Sequence, residues 1–398
     1  MKGNPFINKI LSASGLNVLS AGVNIISNYL IVHFLSIEIF GEFTVFSSII
    51  ALGGLIFVII PPNFSLFRLQ DDSEFKDHLI RFYFLASLLF LIFSCVVYKF
   101  FVENVSFYLI YLFGVSTFFM SYFDVVFQAK GRVNKYFFLL LLVSLIKVFT
   151  VLFFYFIGHF SSLNDLVFSV VIAQLFVLIG CLCVDFKNFK SALSSLELLI
   201  NTVLFIYENF EKFRSYYLNT LLKKIRENSI VLFFSSFLSK EIIGLFSLFL
   251  KVDSFVLGLS RNLEVLFLNR KNQELYRDEF FRNVNKFSVL LQVIYVFVGV
   301  GYMKFLAGNF YFIEIFVQSF LVYPHVYFLF ARAHFLSRYN NFDINISESL
   351  YVLVCLLGFG FTSWFGIDSI YPILVTYFLA KFSLQFYMII NSKKSLNV

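Results

Sequence analysis

The chain is poor in what soluble and catalytic proteins depend on. Only 14% of its 398 residues are charged, and it holds five Pro, four Cys and one Trp. Soluble domains carry about a quarter charged residues, so this little charge cannot clothe a surface facing water on all sides. Cys95, Cys181, Cys183 and Cys355 lie inside apolar runs, and Cys181-x-Cys183 lacks the spacing of a zinc or redox pair. They read as small apolar fillers rather than a disulfide framework. No H-E-x-x-H, G-x-S-x-G, D-x-D, P-loop or metal-ligand cluster occurs at usable spacing, so neither an enzyme nor a cofactor or metal site is expected.

What is present is apolar bulk. Sixty per cent of the residues are hydrophobic, with 61 Phe and 22 Tyr, and the mean hydropathy is +0.85. The aromatics read as lipid-facing and core bulk, with some Tyr in interface belts. Charges gather in short clusters between apolar runs of about 18 to 25 residues, the length that crosses a roughly 30 Å hydrocarbon layer. Spans are expected near residues 10–34, 39–60, 82–101, 105–127, 136–158 and 163–184, then 216–238, 241–267, 287–305, 310–336, 350–366 and 369–390. The polar start, Met1 to Lys9, precedes a run with no small-residue cleavage site after it, so the first run reads as a spanning helix.

The net charge of +7 would suit nucleic acid, but its placement excludes that partner. Lys and Arg fall in alternate connections: 23 in the set containing both termini, and three (Lys99, Lys240, Lys304) in the opposite set. Retained positive charge marks the cytoplasmic side, so both termini are expected there. Residues 185–215 are too polar at their ends and too short in their apolar middle to span, and read as an amphipathic cytoplasmic-face helix.

The chain also repeats itself. Phe34 to Phe43, F-L-S-I-E-I-F-G-E-F, returns at Phe237 to Phe246 as F-L-S-K-E-I-I-G-L-F, with seven of ten positions identical. Phe75-Lys76-Asp77 with Arg81 is echoed by Tyr276-Arg277-Asp278 with Arg282. An even number of helices per half puts both copies on one side, so the repeat is parallel. The fold class expected is an all-α integral membrane protein of about twelve helices, in two six-helix lobes related by a parallel pseudo-two-fold. Residues 1–184 form one lobe, 185–215 the linker and 216–398 the other, with the lobes facing a central cavity.

Charges inside a bilayer cost several kcal/mol unless they face a cavity or a partner, so each is a candidate site residue. In the eighth span Ser247, Lys251, Ser254, Gly258 and Arg261 share a face. They form either a cationic track for a diphosphate or an internally paired set, Lys251 with Asp253 and Arg261 with Glu264. In the tenth, Glu314, Gln318, His325 and Arg332 share a face beside Pro324, as a kinked gate or as a packing face with a snorkelling Arg332. Asn17, Asn24 and Asn28 line one side of the first helix, and Asn24 falls opposite Glu227 under the 203-residue offset, which suits sugar hydroxyls or interhelical hydrogen bonds equally. Lys223 and Lys224 read as snorkelling at the headgroups, and Arg226 and Glu227 as deeper cavity residues. Thr117, Ser121, Asp124 and Gln128 step along the fourth helix, while Lys147 and Lys381 stand alone near mid-depth and need an acid or a wet cavity; Asp124 is an available partner for Lys147.

An outer turn of the form L-x-x-E-x-[FI]-G-x-[FY] between the first two helices, followed by a charged cytoplasmic loop, resembles the start of the polysaccharide flippases of the multidrug/oligosaccharidyl-lipid/polysaccharide (MOP) exporter superfamily. Leu35, Glu38, Gly41 and Phe43 carry the pattern, and Leu238, Glu241, Gly244 and Phe246 repeat it. Similar proteins often have Gly after the second helix, where this chain has Pro61-Pro62-Asn63. The resemblance implies a Wzx-type O-antigen flippase of the bacterial inner membrane. Such a protein moves undecaprenyl-diphosphate-linked oligosaccharide to the periplasmic leaflet by alternating access, with membrane lipids and polysaccharide polymerase machinery as partners. Lys251, Arg261, Arg332, Asn24, Asn28, Arg226, Glu227, Lys147 and Lys381 are then the candidate substrate-binding residues, and Asp124, Asp253 and His325 the candidate coupling or gate residues. Two alternatives remain. A drug/cation antiporter of the same superfamily would have cationic substrates repelled by this many intramembrane Lys and Arg. An O-antigen polymerase or ligase would carry its chemistry on a large periplasmic loop, whereas every outer connection here is only a few residues long.

Overall fold

The computed structural model describes residues 5–57, 60–71, 75–100, 104–130, 133–193, 196–267, 270–337 and 341–396, all-helical apart from short connections. In chain order the helices are α1 (Pro5–Phe34), α2 (Ile37–Phe57), α3 (Pro62–Asp71), α4 (Phe75–Phe100), α5 (Phe107–Ala129), α6 (Val133–Phe156) and α7 (Leu163–Ala192). They continue as α8 (Leu196–Phe234), α9 (Lys240–Phe267), α10 (Arg270–Ala307), α11 (Phe312–Ser319), α12 (Val322–Ser337), α13 (Asn341–Phe365) and α14 (Ile370–Leu396). Among the described residues ten segments are long and apolar enough to cross a membrane, α11 and α12 together making one of them. The helices expected as first and seventh spans are α1, whose described apolar stretch is the shorter Gly22–Phe34, and the charge-bearing α8.

Local chemistry explains the helix ends. Ser162 caps α7 through a capping box: its hydroxyl accepts from the Asp165 amide, and the Asp165 carboxylate accepts from the Ser162 amide at 2.9 Å. At the corresponding ends of α6 and α13, Gly158 and Gly366 adopt left-handed φ of 77° and 59°. His159 then donates to Phe154 and Ile367 to Thr362, closing matching Schellman turns that a residue with a Cβ enters only at a cost. Pro62 opens α3, where its missing N–H costs nothing, and the Pro61 carbonyl accepts from Ser65; the divergent Pro61-Pro62-Asn63 thus starts a helix. Pro324 falls in the first turn of α12, so the expected kink is a full break between α11 and α12 at Phe320 and Leu321.

Residues 185–215 do not form a separate linker helix. Residues 185–192 extend α7, and 196–215 run unbroken into the following span as part of the 39-residue α8. No Gly or Pro interrupts positions 196–234, so nothing in that stretch stops a helix once it has started.

Two compact units emerge from the packing. One comprises residues 22–35 and 45–224, the other 1–21, 36–44 and 225–398. Each is built on the same neighbour pattern. In the first, α4 packs on α5, and α5 and α6 on α7; in the second, α10 packs on α12, and α12 and α13 on α14. The internal repeat is therefore a repeat of packing as well as of sequence. The echoed arginines have diverged. Arg81 is buried and its Nε donates at 2.7 Å to the Ala192 carbonyl, closing the end of α7, whereas the Nε of exposed Arg282 reaches only its own helix, at 3.4 Å from the Asp278 carbonyl.

Candidate functional site

Within the unit holding residues 225–398, six helices bring ionisable side chains into one buried cluster. Some of these residues are far apart in the chain, Asp253 and Lys381 by 128 positions; antiparallel packing of long helices gathers them. Lys381 of α14 and Asp253 of α9 form an ion pair, 8% and 6% exposed. The Tyr377 hydroxyl, one turn before Lys381, donates to the same carboxylate and lies 3.2 Å from the Lys381 Nζ. Tyr295 of α10 bonds to Asp253 as well. This acid is held from two neighbouring helices and its acceptor capacity is largely used.

Beside it stands a second pair. Arg226 of α8 meets Glu348 of α13, with 2.8 Å between the Nε and Oε2 atoms, and Glu348 is fully buried. The contact is electrostatic only: the Nε–H is not aimed at the oxygen, and neither Glu348 oxygen accepts a hydrogen bond. Arg226 also reaches toward Glu227 at 3.8 Å and lies 6.0 Å over the Tyr351 ring. Tyr351 senses both Asp253 and Glu348, and His325 senses Lys381, Arg226 and Arg332, so the two pairs form one electrostatic centre. Arg332 is buried and engaged on α12. Arg226, Arg332 and Lys381 thus share the cluster with Asp253 and Glu348, and the more exposed Glu227 adjoins Arg226.

Lys251 is different. It sits near the middle of the Lys240–Ser260 span, exposed together with Ser254, while Val252, Asp253 and Val256 on the other side are buried. It makes no ion pair or hydrogen bond among the described residues. A four-carbon stem cannot carry an ammonium from mid-depth to headgroups roughly 15 Å away, and a bare cation in hydrocarbon is costly. A charged Lys251 at this depth needs water or an anion beside it.

Of the two readings of this stripe, the pairing of Lys251 with Asp253 is not what the structure shows. The two lie on opposite faces of α9, and Asp253 takes the lysine of α14. Lys381, expected to stand alone, is paired. The stripe itself is mixed, because Ser247 is buried and returns its hydroxyl to the Ile243 carbonyl at 2.6 Å. The side chains of Arg261, Glu264 and Asn17 lie outside the described residues. The tenth-span face is divided by the helix break: buried Gln318 donates to the Leu374 carbonyl at 3.1 Å from α11, while half-buried His325 and buried Arg332 belong to α12.

Asn24, Asn28, Asp124 and Lys147 belong to the other unit and are not part of this cluster. Asn24 is exposed and Asn28 buried, so they do not present one uniform face. Asp124 accepts from Gln128 one turn on, Thr117 and Ser121 return their hydroxyls to their own helix, and half-buried Lys147 is engaged. Glu348, Tyr351, Tyr295 and Tyr377 were not anticipated. A signal existed for the first two, since Ile344, Glu348, Tyr351 and Cys355 recur at helical spacing and are all buried. Glu348 escaped because it sits just outside the apolar run at residues 350–366.

No protein-family model and no curated protein sequence matches the chain. Solved structures do. The outward-facing conformation of a multidrug resistance MATE family transporter of the MOP superfamily matches at TM-score 0.66 and 12% identity, over 98% of this chain and 95% of that one. A point mutant of the MATE transporter VcmN of Vibrio cholerae matches at 0.64 and 9%, over 98% and 97%. A MOP superfamily transporter from Pyrococcus furiosus, described as having a reverse polarity of binding pocket that suggests different function, matches at 0.61 and 10%, over 98% and 95%. The fold of this chain is that of MATE transporters of the MOP superfamily, and the protein is a multi-pass membrane protein.

Proposed function

We propose that this protein is a lipid-linked oligosaccharide flippase of the bacterial inner membrane, with both termini cytoplasmic and its helices in two six-helix lobes. By alternating access it carries undecaprenyl-diphosphate-linked repeat units of O-antigen, or a related surface polysaccharide, to the periplasmic leaflet. The observation that carries the reading is Lys251, an exposed and unpaired ammonium at mid-membrane depth among the described residues. Backing it is a charge cluster in the same unit that holds Arg226, Arg332 and Lys381. A diphosphate is met by Lys as a point charge and by Arg as a planar fork, so both kinds of cation are in place.

A second reading, a drug/cation antiporter, is favoured by the multidrug neighbours and by the carboxylate pair Asp253 and Glu348. Against it stands Lys251, which repels a cation at the same depth. Charge reversal separates the two. K251E in a cell that needs this glycan is expected to abolish surface display and strand lipid-linked repeat units on the cytoplasmic leaflet. Full display overturns the flippase reading as argued from Lys251, and a gain of drug resistance without any glycan phenotype establishes the antiporter instead.

A further inference from the structure

Nothing in the sequence singles out any of the 22 Tyr, but the packing of α10 on α12 does. Tyr323 and Tyr327 of α12 lie one turn apart, and both donate their hydroxyls to the side-chain oxygen of Asn285 on α10, Tyr323 at 2.8 Å. An amide oxygen has two lone pairs, so this one is fully used. The Asn285 Nδ2 keeps both N–H groups, with no partner among the described residues. The two rings stand 6.0 Å apart and are tilted by 43°, so neither covers the face of the other, and among the described residues no further ring packs on them. Asn285 and Tyr323 are exposed and Tyr327 is half-buried. All three lie in segments long and apolar enough to cross a membrane, where an exposed amide with unused N–H groups is costly against lipid.

We propose that Asn285, Tyr323 and Tyr327 form a subsite for one sugar ring of the lipid-linked oligosaccharide, with the amide and the phenol oxygens meeting its hydroxyls and a tyrosine face meeting its C–H side. The assignment rests on the flippase reading above. A pyranose offers neighbouring hydroxyls that each donate and accept, beside an apolar C–H face. The trio supplies the complement: two amide N–H donors, lone pairs on two phenol oxygens, and electron-rich ring faces. It carries no charge of its own, whereas a diphosphate or an organic cation calls for fixed charge of the opposite sign. A tyrosine of an interface belt sends its hydroxyl to water. These two turn theirs onto the amide of a neighbouring helix and so fix its unused N–H groups in place, which removes side-chain freedom before any ligand arrives. The subsite is separate from the buried charge cluster, because Asn285 precedes Tyr295 on α10 by about 15 Å of helix rise.

The test uses the purified full-length protein in nanodiscs, titrated calorimetrically with farnesyl diphosphate and with the same lipid carrying N-acetylglucosamine or galactose on its diphosphate. Wild type is expected to bind at least one sugar-bearing lipid about tenfold more tightly than the bare one. Y323A and N285A, both at exposed positions, are expected to lose that preference while binding bare farnesyl diphosphate as wild type does. Y323F, which keeps the ring, is expected to retain more of the preference than Y323A. Equal wild-type binding of all three lipids overturns the subsite and leaves the flippase reading standing. Loss of bare-lipid binding in both Y323A and N285A marks a structural role and overturns the assignment. So does a preference that survives in those variants but falls in R282Q/K286Q, since Arg282 and Lys286 are the exposed cations beside Asn285 and would hold a phosphate headgroup instead. Failure of wild type to bind any of the three overturns the anionic-lipid reading itself.

Discussion

At the scale of single residues, the buried centre is governed by the cost of an uncompensated charge. Removing one partner of a buried, hydrogen-bonded ion pair costs about 3–5 kcal/mol, while replacing both with neutral groups is often close to harmless. D253N should therefore lower the stability of the purified protein by about 3–5 kcal/mol, because it leaves the Lys381 ammonium 8% exposed and without its counterion. The double variant D253N/K381M should recover most of that loss. Thermal unfolding in detergent reads both, and a double variant no more stable than D253N would show that Tyr377 and Tyr295, not the ion pair, hold this point together. The difference from Lys251 was half legible in sequence. Each cation could be recognised as an isolated charge in an apolar run, but whether an acid stands opposite depends on helix neighbours 128 residues away.

At the scale of elements, the repeated turn at residues 34–43 and 237–246 combines three devices. Ser36 and Ser239 are helix caps: each hydroxyl accepts from the amide three residues on, Ile39 at 3.2 Å and Ile242 at 3.3 Å. Glu38 and Glu241 lie in the first turns of α2 and α9, where the helix dipole favours an acid. Gly41 and Gly244 let the two turns cross. A Cβ at Gly41 would collide with the Lys240 carbonyl and come within 2.8 Å of the Gly244 amide nitrogen; one at Gly244 would collide with the Ile37 carbonyl. An ion pair between Glu42 and Lys240 closes the crossing. Backbone on both sides leaves no room for relaxation, so G41V and G244V should each destabilise far more than S36A or S239A, whose lost caps cost about 1 kcal/mol each. Equal melting temperatures for G41V and S36A would refute the crossing. The identities of these six residues were readable as a repeat, and the acid's role at a helix start was readable too. That the two copies touch each other was not, because nothing in a local pattern states which distant surface the glycine must admit.

For the whole molecule, apolar periodicity and alternating loop charge carry most of the information. They lead to an all-helical multi-pass chain because lipid leaves the backbone no other way to satisfy its polar groups. The orientation is open to direct measurement in a background lacking the four native cysteines. If both termini are cytoplasmic as proposed, S161C and D368C, both on exposed connections, should react with a membrane-impermeant maleimide in intact spheroplasts, whereas K2C should react only after permeabilisation. Labelling of K2C in intact spheroplasts would invert the topology. The seventh helix shows where hydropathy alone falls short. α8 carries too much charge to register as a span, and its continuity from residue 196 follows from the absence of helix breakers rather than from any apolar signal.

The sequence by itself determined the membrane class, the positions of nearly all the helices, the internal repeat and the place of Lys251 inside an apolar run, because each depends on spacing along one helix or on composition. Tertiary structure alone decided that Asp253 belongs to Lys381, that Glu348 balances Arg226 without hydrogen bonds, and that Gly41 meets Lys240 and Gly244. Those are pairings between helices. A charge in a low-dielectric interior is defined by whatever stands opposite it, and only packing brings that neighbour there.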